Sequence, residues 1–108
     1  MIKFMDDSAQ SSSFLEYVIT QGLKGHHILF DNEQIRRAFA KGDVELTSLG
    51  VDRVHEVREA LREIFEMGST EDRREYIARL PEEIQHILVF LYFQILEKNI
   101  LAQKNKLQ

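Results

Sequence analysis

Four histidines are the residues here best suited to chemistry, and two of them stand three positions after an acid, in Asp52-Arg53-Val54-His55 and Glu83-Ile84-Gln85-His86. On a helix this spacing sets a carboxylate beside an imidazole. Di-metal bundles turn such Glu-x-x-His pairs inward from facing helices to hold their ions. The chain has 18 acids in 108 residues, so chance alone supplies nearly one such pair. Orientation weighs further against a site. Asp52 and His55 fall opposite the apolar face formed by Val54, Val57 and Leu61, and Glu83 and His86 fall on the polar arc of the last helix. A metal-binding helical bundle is thus a minor alternative, and no metal ligand or cofactor is assigned. His26 and His27 are adjacent and read as a loop or helix-end decoration.

Nucleophilic chemistry finds less support. There is no cysteine, and the serines either cluster at Ser8, Ser11, Ser12 and Ser13 or stand where helices are capped. None sits in a glycine-flanked elbow, and no glycine-rich loop comes after a strand. The expectation is a protein without catalytic residues.

Residues 34 to 42 offer a different chemistry. Arg36, Arg37 and Lys41 make a basic helix face ahead of a turn glycine, as in a helix-turn-helix. The segment beyond the turn, Asp43-Val44-Glu45-Leu46, is acidic and apolar, whereas a recognition helix presents basic or amide side chains to base edges. A DNA-binding regulator using these three residues is the alternative reading. The net charge of −4, from 14 basic and 18 acidic residues, opposes a surface that attracts nucleic acid throughout.

Positioning these residues falls to helices. At 44% hydrophobic and 30% charged, a chain of this size can build one core. The longest unbroken apolar run, residues 87 to 93, is far short of the 20 or so needed to span a bilayer. The N-terminus has acids where a secretory signal would be apolar, so the expected location is the cytoplasm.

Residues 1 to 12, with two aspartates and the first serines, are expected to form a mobile tail ahead of one helical domain over residues 13 to 108. Ser13 and Glu16 fit a capping box, and Gly22 offers a left-handed stop. Residues 23 to 30 are ambiguous between helix and strand and read as a connector with buried apolar anchors. Asp31 and Gln34 form a second capping box for a helix ended by Gly42, with Ile35, Ala38 and Phe39 inward. Val54, Val57, Leu61, Ile64 and Phe65 make the clearest amphipathic stripe. Ser69 caps a fourth helix, on which Arg73, Arg74 and Arg79 read as ordinary surface. Pro81 separates it from the fifth.

That last helix, residues 81 to 104, carries two apolar stripes. Ile84, Ile87, Leu88, Leu91 and Ile95 form one, and Val89, Tyr92, Phe93, Leu96 and Ile100 form the other, about 130° away around the axis. Four short helices of one small chain cover one stripe well and two with difficulty. The expected architecture is therefore an all-α bundle of four to five helices in a single domain, with a long, two-faced apolar C-terminal helix. The expected function is a non-catalytic protein–protein interaction or regulatory module, homodimeric through Val89, Tyr92, Phe93, Leu96 and Ile100, with nucleic acid an improbable partner and a membrane excluded.

Overall fold

Local capping chemistry sets most of the helix ends. The structure, a computed structural model, describes the backbone of residues 2–42 and 50–107 and the side chains of residues 13–42 and 50–102. Among the described residues there are five helices and no strand, arranged as a small helical bundle: α1 (Ile2–Leu23), α2 (Asn32–Ala40), α3 (Val51–Glu66), α4 (Thr70–Arg79) and α5 (Glu82–Leu107). The stretch from 43 to 49, where the sequence suggests a transition and lacks a recognition helix, lies outside the described residues.

Both halves of the Asp31 capping box are present. The Gln34 amide donates to Asp31 Oδ1 at 2.7 Å, and the Asp31 amide donates to Gln34 Oε1 at 2.9 Å. Gly42, at φ 90°, ends α2 in the left-handed region that glycine adopts freely. Ser69 Oγ accepts from the Asp72 amide at 3.1 Å and starts α4, whose first turn also holds Glu71 and Asp72. Pro81 precedes α5, and its carbonyl accepts the first helical bond, from the Gln85 amide at 3.0 Å.

α1 departs from the sequence expectation at both ends. Its helical backbone begins at Ile2, so Ser13 lies inside a continuous helix instead of capping one. Serine is only moderately unfavourable in a helix interior. The stop is at Gly25, not Gly22. Gly25 has φ 89°, its amide donates to the Gly22 carbonyl at 2.9 Å, and the His26 amide reaches the Gln21 carbonyl at 2.8 Å. These two bonds define a Schellman ending. Gly22 serves packing. A Cβ placed there would run into Tyr92 Oη and come within 2.8 Å of Leu96 Cδ2, so the missing side chain lets α1 approach α5 closely.

The connector after α1 is irregular and sends Leu29 and Phe30 into the core. α1, α2 and α3 all pack on α5, and α4 packs on α3. The centre is built from Ile77, Ile84, Ile87 and Val89, which are fully buried. Residues 86 to 90 are buried without interruption, so α5 is enclosed on all sides over that turn. Both stripes are covered there. Cover thins along the axis, with Ile95, Ile100 and Leu101 exposed. The boundary between covered and uncovered surface thus crosses the helix instead of running between its two stripes.

Two buried polar groups correct the sequence reading. Arg73, expected at the surface, is 8% exposed, and His86, expected on a solvated arc, is 6% exposed. Phe39 differs in the other direction. Placed on the inner side of α2 from sequence, it is 48% exposed and rests edge-on against Phe90 and Phe93, with ring centroids 5.1 and 5.4 Å away.

Candidate functional site

The acid–histidine pairs are engaged separately. Asp52 and His55 are exposed on α3, while His86 packs into the bundle with Nε2 3.5 Å from Glu82 Oε1. Glu83 instead meets Arg53 Nη2 at 2.7 Å, and Arg53 Nη1 reaches Glu56 at 3.1 Å. Among the described residues no three His, Asp or Glu side chains converge as metal ligands would. The signal for His86 was Phe90, four residues on, whose presence in the supposed polar arc marks that side as covered.

Each residue of the basic face has a carboxylate beside it. Arg36 lies 2.6 Å from Glu33, Arg37 lies 3.9 Å from the same residue, and Lys41 lies 3.7 Å from Glu82 of α5. The hydrogen bond from Arg36 holds the Glu33 carboxyl below its usual range. Phosphate would have to compete with these carboxylates for all three cations.

Of the five residues expected at a dimer interface, Val89, Tyr92 and Leu96 are buried by their own chain, Phe93 is half-buried and Ile100 is 46% exposed. The full stripe therefore does not form a free surface. Cover over Tyr92 and one side of Phe93 comes from the connector, through His27 and Phe30, whose rings stand 5.1 to 5.5 Å from theirs. Outside this cover lies a strip made of Phe39 on α2 with Phe93 and Ile100 on α5.

His27 and Tyr92 form the structure's one long-range pairing of a histidine with a phenol among the described hydrogen bonds, with His27 Nδ1 2.6 Å from Tyr92 Oη. Burial, followed by the neighbouring His26, pushes the imidazole below its ordinary pKa, and burial pushes the phenol up to about 12. Both groups are neutral at neutral pH, so they share a single hydrogen bond whose direction follows the imidazole tautomer. The hydroxyl is turned toward the α1 backbone at Gly22. The pair is a clamp between the connector and α5.

It carries a pH consequence. Because the folded-state pKa of His27 lies below its unfolded value of about 6.5, the unfolded chain binds the proton more readily. The stabilisation is complete above that unfolded value and is lost as pH falls through the folded one. Thermal unfolding monitored from pH 8 to pH 5 should show a drop in Tm that is larger in the unsubstituted protein than in His27→Gln. Equal drops would show that another group governs the acid side.

A pocket of about 180 Å³ opens between α1, the connector, α3 and α5, with Phe30 and Tyr92 in its wall. Val18, Leu61, Ile64, Leu88 and Leu91 form much of its wall. No sequence signal marks it, since each lining residue reads as an ordinary core position and the space arises from how the helices meet. No helix among the described residues is long and apolar enough to cross a membrane. No protein-family model matches the chain, and no curated protein or solved structure matches it either.

Proposed function

We propose that this chain is a small cytoplasmic interaction module that self-associates as a homodimer, without chemistry of its own, through the strip of Phe39, Phe93 and Ile100. The observation that carries the reading is Phe39, an aromatic ring about half exposed beside two further phenylalanines of α5. Aromatic residues are enriched in interface centres. An isologous contact sets a surface against itself, so a strip ringed by charge of one sign would repel its copy. Around Phe39 the cations Arg37 and Lys41 are each within 4 Å of a carboxylate, which removes that repulsion.

Native mass spectrometry and light scattering test this directly. The expected mass is twice 12.7 kDa at micromolar concentration. Phe39→Glu combined with Ile100→Glu should give a monomer with undiminished helical circular dichroism, because both side chains are already about half in solvent. A monomer before any substitution would overturn the reading.

A further inference from the structure

The pocket between α1, α3 and α5 has the chemistry of a binding site, and it is independent of the proposed dimer strip. At 100° per residue, Leu88, Leu91 and Ile95, which line it, lie on the side of α5 away from Phe90, Phe93 and Ile100. We propose that it holds a small, neutral, aromatic molecule of one or two fused rings.

Size comes first. A cavity of about 150 Å³ lined by Leu, Ile and Phe stays dry and takes up benzene, and this one is about 180 Å³. The lining sets the charge of the occupant. Every lining side chain is aliphatic or aromatic, and the one hydroxyl among them, that of Tyr92, is already bonded to His27. The nearest buried cation, Arg73, sits over the Phe14 ring with Cζ 3.7 Å from its centroid, and its N–H groups are engaged by the carbonyls of Ile64 and Met67. A carboxylate or phosphate inside the pocket would give up its hydration with nothing to replace it. A neutral occupant incurs no such penalty.

The aromatic preference comes from Phe14 and Phe65. Their rings meet edge-to-face with centroids 5.6 Å apart, and both line the space, so a flat ring finds faces and edges to pack against. Access is provided at the rim, where Leu15 and Ile95 are each 37% exposed.

Titration with the neutral two-ring dye 1-naphthylamine tests the assignment in a chain that contains no tryptophan to interfere. Fluorescence should saturate at one dye per chain. Naphthalene should displace the dye, and dodecanoate at the same concentration should not. Leu15→Glu with Ile95→Glu should weaken dye binding at least tenfold with the thermal transition retained, since both residues stand at the rim. In the unsubstituted protein, naphthalene should raise Tm and shift the methyl resonances of Leu61, Leu88 and Leu91. Unsaturable dye binding, or methyl resonances unmoved by naphthalene, would overturn the proposal. Equal displacement by dodecanoate would replace the neutral aromatic occupant with an acyl carboxylate and so overturn it too. None of these outcomes depends on whether the chain is a dimer.

Discussion

Arg73→Met should lower the free energy of unfolding by about 3 kcal/mol, the largest single effect expected of any charged residue among those described. Arg73 Nε donates to the Ile64 carbonyl at 2.8 Å, and Nη2 donates to the Met67 carbonyl. Both carbonyls lie at the C-terminal end of α3, where a helix leaves its last acceptors without intrahelical partners and its dipole favours a cation. The guanidinium also stacks on Phe14 of α1. One side chain of α4 thereby ties together α1, α3 and α4.

Opposing terms limit the net effect. Desolvation of the cation, which also pushes the Arg73 pKa down, works against the pairing. Methionine preserves the packing of the arginine stem. The substitution removes a charged donor to two acceptors, each such bond being worth about 1.5–3 kcal/mol, and a stacking contact worth about 0.5–1 kcal/mol. Urea denaturation should show a lower midpoint at unchanged slope. Lysine in the same place keeps the charge but not the fork, and should recover only part of the loss. Arg74→Met, on an exposed neighbour, should stay within about 0.5 kcal/mol of the unsubstituted protein. If Arg73→Met behaved like Arg74→Met, the capping role would be wrong.

Gly22→Ala should also destabilise, against the usual direction of that exchange. In an open helix interior, alanine is favoured over glycine by about 1 kcal/mol. Here the added Cβ would collide with Tyr92 Oη and stand 2.8 Å from Leu96 Cδ2. Leu96 is the flexible end of a side chain and can yield; the hydroxyl is pinned by His27 at 2.6 Å. Overpacking of this kind costs about 1–3 kcal/mol, so the net change is a loss of roughly 1 kcal/mol. Tyr92→Phe removes the colliding atom. It should therefore be less harmful in the Gly22→Ala background than alone, a coupling that a double-mutant cycle reads as a departure from additivity. Strict additivity would mean that α1 moves away from α5 instead of meeting the hydroxyl.

The features legible in the sequence were local. Asp31 with Gln34, Ser69 with Asp72, and Gly42 each act on amides or carbonyls a few residues away, so their types and spacing carry the information. The all-α class came from the same signals. Arg73 was illegible because its acceptors lie six and nine residues upstream, across a helix end, and its own residue type suggests solvent. Gly22 was misread for a related reason. A glycine near a helix end fits a left-handed stop, and only the approach of Tyr92 and Leu96 reveals a packing role. The two stripes of α5 posed a choice between inside and outside that the fold answers along the axis. Val89, Tyr92 and Leu96 went inside because α1, the connector and α2 together fold over this part of α5, which no periodicity within α5 could disclose. Phe39 became exposed by that same arrangement.

The dependence of α1, α2 and α3 on α5 also has a temporal side. Synthesis delivers α5 after the four helices that rely on it, directly or through α3. At about 5–20 residues per second, the 26 residues of α5 take roughly one to five seconds to appear. During that interval the apolar faces around Val18, Val57 and Ile64 have no central helix to close on. Completion of the core therefore waits for the last helix to be made.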